Sequence, residues 1–444
     1  MRDRTPRTPA GVWTSTTMFA EGLPWTLLHQ VTAEFFTAVG LPARQVGYTS
    51  ALHLTGSLKF LWSPLVDLFG TLRSWMIATQ ALMGAVVGVL AVHADALARA
   101  SELSTATIWA LLTLIGVLSA THDIACDGYY MDALDRDDQA RYAGLRIAGF
   151  RVAMFVGSAG LVYVGGRFGW LAGFGAGAAL LMALAAFHRL ALAPGRSEAR
   201  RHARDPSDMS KPWAARARHV AGAYLSFLLQ PRAAVVLLFI ATFKLGDALI
   251  FSMSKVLLRD LGIATTSRAL VNGVAISAMI SGAVLGGAWI ARRGLATTIV
   301  PIALLMAMTE PLMILLAAEA VPRTLAAHVP GAPWAVDVAA PASLAAAAVI
   351  MAIEQFAGGM ATAAQMVFLM RRCHPDHKAA HYAFATAVYL FAQTASGTYS
   401  GHLYEGYGPI LFFAVTSVAC IPCLALVTAI PTEPRDAASV EPAR

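Results

Sequence analysis

Ala120-Thr121-His122-Asp123-Ile124-Ala125-Cys126-Asp127-Gly128-Tyr129-Tyr130-Met131-Asp132 continues an apolar run that begins near Thr105. The first two aspartates fall inside what would otherwise be a clean membrane helix. Asp123 and Asp127 are four residues apart and share one helix face. A carboxylate at the centre of a membrane helix costs about 2.5–3.5 kcal/mol on insertion scales. Two on one face therefore call for a polar surface inside a helix bundle.

Composition points to the same solvent. The chain of 444 residues is 57% apolar and 13% charged, with mean hydropathy +0.60, whereas a soluble domain carries about a quarter charged residues. Such a chain cannot cover its apolar surface in water, so the expected class is an all-α polytopic membrane protein. Four cysteines are too few for a disulfide scaffold, and Cys420 and Cys423 read as small core residues of the last apolar span.

Twelve spans can be placed: Val12–Val39, Gly47–Val66, Ser74–Ala98, Thr105–Asp132, Gln139–Val164, Phe168–Leu192, Ala233–Arg259, Ala269–Ala291, Ala296–Ala318, Pro341–Met370, Ala379–Ser400 and Pro409–Ile430. The first is too long for a signal-peptide apolar region and is expected to be retained. A basic stretch without a membrane-length run separates the sixth span from the seventh. The expected organisation is a tail at 1–11, a six-helix bundle at 12–192, a basic linker at 193–232, a second six-helix bundle at 233–430 and a tail at 431–444. Two groups of six resemble the major facilitator layout, in which two pseudo-symmetric halves rock about a central site. Val39-Gly40-Leu41 after the first span and Leu261-Gly262-Ile263 after the seventh are an internal echo.

With the N-terminus inside, the cytoplasmic segments hold 22 of the 33 Lys and Arg residues and the external loops six. The positive-inside rule then places both termini in the cytoplasm. The net charge of +7 is explained by this bias and leaves little for a nucleic-acid partner.

Some charges remain inside the spans. Lys59, Asp123 and Asp127 lie about 9–15 Å below the cytoplasmic face at 1.5 Å per residue, and Arg146 and Arg151 reach comparable depth. Two acids and three bases at one level suggest a compensated network, serving as a structural ion-pair cluster, as a latch of alternating access, or both. Glu21 and Glu34 in the first span, Lys244, Asp247 and Lys255 in the seventh, Glu310 in the ninth and Glu354 in the tenth are further candidates. Glu21 and Asp247 sit near helix-breaking signals, Gly22-Leu23-Pro24 and Gly246. A carboxylate facing a cavity there is a candidate proton carrier. His122 diverges from Asp123 by about 100° on a helix, which argues against a shared metal ion; His29 and His53 read as cavity-wall or capping residues. Gly286-Gly287 and Gly358-Gly359 read as close-packing positions. No phosphate-cradling loop, nucleophile elbow or HExxH stands in a credible context.

Four blocks then carry a family resemblance. Leu58-Lys59-Phe60-Leu61-Trp62-Ser63-Pro64-Leu65-Val66-Asp67 is followed by His122-Asp123-Ile124-Ala125-Cys126-Asp127. Phe243-Lys244-Leu245-Gly246-Asp247-Ala248 opens the seventh span, and Glu354-Gln355-Phe356-Ala357-Gly358-Gly359-Met360 with Leu369-Met370-Arg371-Arg372-Cys373-His374-Pro375 closes the tenth. Together they resemble the AmpG-like permeases, the muropeptide and acetyl-CoA transporter branch of the major facilitator superfamily.

The resemblance implies a permease of the bacterial cytoplasmic membrane and not an enzyme. It implies inward, proton-linked passage of a bulky solute, such as a muropeptide or amino-sugar saccharide. An acyl-CoA or siderophore carrier of the same fold stays open as an alternative, with a membrane-embedded enzyme or receptor behind it. The expected solute and proton pathway comprises Glu21, His29, Lys59, Asp123, Asp127, Tyr130, Arg146, Arg151, Lys244, Asp247, Glu354 and Gln355. No metal and no cofactor is expected. The expected partners are the solute, protons and the lipid bilayer, and the expected working unit is a monomer.

Overall fold

A backbone in lipid must satisfy its own hydrogen bonds, which leaves long apolar spans only the helix or the closed barrel. The computed structural model describes residues 8–99, 104–194, 222, 225–328, 344–373 and 378–431, and these are helical with no strand. Twelve segments follow: α1 (10–38), α2 (43–68), α3 (Leu72–Arg99), α4 (Ala106–Ala133), α5 (136–168), α6 (Trp170–Ala191), α7 (233–260), α8 (Thr265–Arg293), α9 (295–328), α10 (Leu344–Arg371), α11 (378–407) and α12 (409–426). Among the described residues nine helices are long and apolar enough to cross a membrane, one of them the 43-residue run Phe384–Leu426. Gly408, at φ 73°, divides that run into α11 and α12. α1 and α2 complete the twelve. They escape a simple length criterion because a wide turn at Leu27–Val31 interrupts α1 and tight turns at Thr49–Leu52 and Lys59–Leu61 interrupt α2. Most of the basic linker, most of both tails and the start of the tenth span at Pro341 lie outside the described residues.

The internal echo is structural. After α1, Leu41 N–H bonds the Phe36 carbonyl at 3.0 Å and Gly40 has φ 78°; after α7, Ile263 N–H bonds the Leu258 carbonyl at 3.1 Å and Gly262 has φ 77°. Both are the same helix stop, in which only glycine takes the left-handed position without strain. The other positive-φ glycines of the described residues pair likewise: Gly70 and Gly294 follow α2 and α8, and Gly169 and Gly408 follow α5 and α11.

Two expected breaks differ from each other. Pro24 lies inside the continuous helix Ala10–Thr26, so α1 is not broken there. Gly22 instead lets α5 approach, since a Cβ at that position would lie 2.9 Å from the Phe150 carbonyl oxygen. α7 is broken: Ala233–Thr242 and Leu245–Asp260 are separate helices, and Lys244 between them has φ −120° and ψ 31°.

Within the first half α1 packs on α5, and α3 on both α4 and α6; within the second, α8 and α9 pack on α10, and α7 on α11. Across the halves α2 meets α11, α5 meets α8, and α7 meets α1 and α2. The apolar cores follow this pattern. One core draws on both halves, from Leu27, Phe35 and Phe36 to Met253, Leu257 and Phe412, around the end where α1 meets α2 and α7 meets α8. At the opposite end, which carries Arg73, Arg292, Arg293 and Arg371, each half keeps a core of its own, around Trp13, Met76 and Tyr129 in one and Phe239, Ile299 and Phe368 in the other. Among the described residues the halves thus share one core at one end, called here the sealed end, and keep separate cores at the basic end.

Candidate functional site

A cavity of about 760 Å³ lies between the halves. Glu21, Trp25 and His29 of α1, His53, Thr55 and Lys59 of α2, Asp123 and Asp127 of α4 and Phe150 of α5 line it, and Tyr382, Thr386 and Leu390 of α11 face them from the second half. The four-residue spacing of Asp123 and Asp127 thus aims both carboxylates inward. Lys59 forms an ion pair with Asp123, and Arg146 forms one with Asp127. Carboxyl oxygens of Glu21, Asp123 and Asp127 come within 4.8 Å of one another. Glu21 Oε2 is buried and has no hydrogen-bond partner among the described residues. Three carboxylates therefore share two cations. Lys59 and Arg146 are seated on two of the acids, so the three carboxyl groups and two cations form one network on the cavity wall.

The other expected site residues separate into those at the cavity and those behind it. Tyr130 does not line the cavity. Its ring lies under the Arg146 guanidinium at 4.4 Å and its hydroxyl donates to the Gln139 carbonyl, so it supports the arginine. Arg151 pairs with neither aspartate. Its Nη1 lies 3.6 Å from Met154 Sδ and 4.0 Å from Met279 Sδ of α8, on the face of α5 turned to the second half. His29 and His53 stack in parallel with ring centres 3.5 Å apart, and Trp25 packs against both. His53 Nδ1 lies 2.9 Å from the Ser50 carbonyl, which makes that nitrogen the donor.

In the second half Lys244 Nζ sits 2.9 Å from Asp247 Oδ2 and donates to Thr362 Oγ1 at 2.9 Å. Gln355 Nε2 donates to Glu354 Oε2 at 2.8 Å, and Glu354 is buried. Gly358 faces Asp247, while Gly359 and Gly286 are the close approaches between α8 and α10; Gly287 faces open space. His122 belongs to a buried chain: Gln80 Nε2 lies 2.8 Å from His122 Nε2, Gln80 Oε1 2.9 Å from His188 Nδ1, and His188 Nε2 3.0 Å from Thr16 Oγ1. One amide donates to one imidazole and accepts from the other, which ties α1, α3, α4 and α6 together.

Sequence reasoning missed the polar lock at the sealed end. Glu34 of α1 accepts from Arg268 Nε at 2.9 Å and from Asn272 Nδ2 at 2.8 Å, both of α8. The Glu34 and Arg268 side chains are 0% and 3% exposed, so the pair is fully removed from solvent. Arg44 pairs with Glu405 at 3.2 Å, and Tyr48 hydrogen-bonds His402 at 2.7 Å, joining α2 to α11. Arg44 and Arg268 are two of the six basic residues that the sequence places in external loops. The available signal was Glu34, an acid at the end of an apolar span with no base on its own helix.

Comparison with known proteins agrees with this architecture. The sequence profile of the Major Facilitator Superfamily matches residues 12–329. The chain belongs to the major facilitator superfamily. The anhydromuropeptide permease of Escherichia coli strain K12 is 25% identical over 419 residues, covering 92% of this chain and 77% of the permease. The putative transporter AmpG 4 of Rickettsia conorii is 23% identical over 414 residues, covering 91% and 92%. Solved structures share the fold: a D-xylose–proton symporter superposes with TM-score 0.65 at 12% identity, covering 95% of this chain and 97% of the symporter. A bacterial homologue of the iron transporter ferroportin, in its inward-facing state, superposes with TM-score 0.62 at 11% identity, covering 94% and 97%. The protein is thus a multi-pass membrane transporter for a small-molecule solute, similar to AmpG permeases, and not an enzyme.

Proposed function

We propose that this transporter imports a muropeptide or related amino-sugar saccharide across the bacterial inner membrane by proton-coupled alternating access. Both termini lie in the cytoplasm, so the sealed end is external and the described conformation opens inward. Residues 12–192 and 233–430 act as the two moving bodies of a monomer. The observation that carries the reading is the cavity between the halves, whose 760 Å³ falls in the usual range for organic ligands. Its wall combines flat rings, from Trp25, His29, His53 and Phe150, with carboxylates and a lysine, the pairing of apolar face and hydrogen-bonding edge that a sugar ring presents. The kinship to anhydromuropeptide permease supports the solute class. The excess carboxylate among Glu21, Asp123 and Asp127 is the proton carrier of the first half, and Lys244, Asp247, Glu354 and Gln355 complete the pathway in the second.

Uptake into proteoliposomes tests this with three labelled solutes: N-acetylglucosaminyl-anhydro-N-acetylmuramyl peptide, acetyl-CoA and a ferric siderophore. The expected result is uptake of the first alone, driven by an inward proton gradient and abolished by a protonophore. Uptake of only acetyl-CoA or the siderophore would overturn the solute class. Uptake still driven by the pH gradient in every one of Glu21→Gln, Asp123→Asn, Asp127→Asn, Asp247→Asn and Glu354→Gln would overturn the coupling scheme.

A further inference from the structure

Two helix breaks face each other inside the second half. α7 breaks at Lys244, and α9 breaks at Glu310-Pro311 between Leu295–Thr309 and Leu312–His328, where the proline has no N–H to continue the ladder. Glu310 is 1% exposed, and among the described residues neither of its carboxyl oxygens receives an N–H or O–H hydrogen bond; the weak Cys420 thiol is the donor beside it. The carboxyl group rests on Gly246: a Cβ built there would lie 2.6 Å from Glu310 Cδ. A glycine is thus required at the α7 break for this carboxyl to occupy its place.

The charged and titratable groups around Glu310 are Lys244 and Asp247 of α7, Glu354 of α10, and Cys420 and Cys423 of α12. The sole cation among them, Lys244, is committed to Asp247 and Thr362, each at 2.9 Å. An ionised carboxylate left without a cation, with the weak Cys420 thiol as its donor, is costly in such surroundings by several kcal/mol, whereas the acid form is a small neutral group.

We propose that Glu310 is a proton-binding site of the second half, separate from the Glu21–Asp123–Asp127 group, and that it holds its proton in this inward-opening conformation. The Lys244 ammonium sets its occupancy. Seated on Asp247, it leaves Glu310 the acid form; turned through the α7 break onto Glu310, it favours the carboxylate, and one proton passes to water with no other bond changed. A side chain at position 246 would push the carboxyl aside and uncouple the two breaks.

The assignment needs no knowledge of the solute, so its test stands apart from the choice of substrate. Infrared spectra of the full chain in liposomes at neutral pH are expected to show a carboxylic-acid C=O band that disappears in Glu310→Gln. In Glu310→Asp the band should remain but at a shifted frequency, which also guards against misfolding of the amide variant. Lys244→Met, which removes the cation, should retain the band to higher pH than the wild type. A spectrum whose acid band is unchanged by both Glu310 substitutions would overturn the proposal, because the carboxyl would then be ionised throughout.

Discussion

Lys59 and Arg268 show how differently two membrane ion pairs can be used. The Lys59 and Asp123 side chains are 36% and 23% exposed to the cavity, so water screens them and the pair is worth about 1 kcal/mol or less to stability. Asp123→Asn is therefore expected to leave the thermal midpoint nearly unchanged while uptake falls at least about tenfold, as read by thermal unfolding and proteoliposome transport side by side. Gly246→Ala should instead lower the thermal midpoint. The added methyl would lie 2.6 Å from Glu310 Cδ, and overpacking of that kind costs about 1–3 kcal/mol, which a lowered thermal midpoint would report. The charges themselves were legible in the sequence, because a carboxylate or ammonium in an apolar run stands out. Their pairing was legible only in part. Depth follows from rise per residue, and it correctly set Lys59 and Arg146 level with the aspartates. Azimuth follows from the helical period, and five residues correspond to about 140°. Arg146 and Arg151 thus point to different sides of α5, and only the first meets α4.

At the scale of elements, hydropathy located nearly all of α1 to α12, since apolar length is what lipid demands of a span. It did not locate the interruptions. Pro24 looked like a break, but the helix runs through it to Thr26, and the interruption comes afterwards, as a wider turn at Leu27–Val31. The contact of α2 with α11 was also hidden, because it rests on small residues scattered over two distant spans. A Cβ at Gly47 would lie 2.9 Å from the Gly401 nitrogen and 3.1 Å from the Gly397 carbonyl oxygen. Gly397 and Gly401 are four residues apart on one face, the spacing at which helix backbones in a membrane can touch. Gly401→Leu should therefore force α2 and α11 apart at the sealed end. An engineered cysteine pair, Tyr48→Cys with His402→Cys, should cross-link readily in the parent background and poorly with Gly401→Leu. Equal cross-linking in both would show that the contact tolerates bulk and does not hold the seal.

The whole molecule is held in its present shape by what crosses between the halves at the sealed end, and Glu34 is the most exposed to failure there. It is 0% accessible and held by Arg268 and Asn272. Arg268→Met would leave a buried carboxylate with a single amide donor, a penalty of about 3–5 kcal/mol that applies while the end is closed. Opening that end would hydrate Glu34 and relieve it. Since 1.4 kcal/mol is a factor of ten, the balance of conformations should move toward the open sealed end by about a hundredfold or more. Adding Glu34→Leu removes the buried charge and leaves the Asn272 amide without its carboxylate partner, a smaller cost of about 1–3 kcal/mol, so the double variant should return most of the way to the parent's closure. The single variant is expected to lose uptake and the double variant to recover part of it. Distances between spin labels at the sealed end on α2 and α11 distinguish them: longer for Arg268→Met, short for the double variant. If the single variant keeps the parent's short distances, the seal rests on the shared apolar core alone, and the Glu34–Arg268 pair is not what decides which side of the transporter is open.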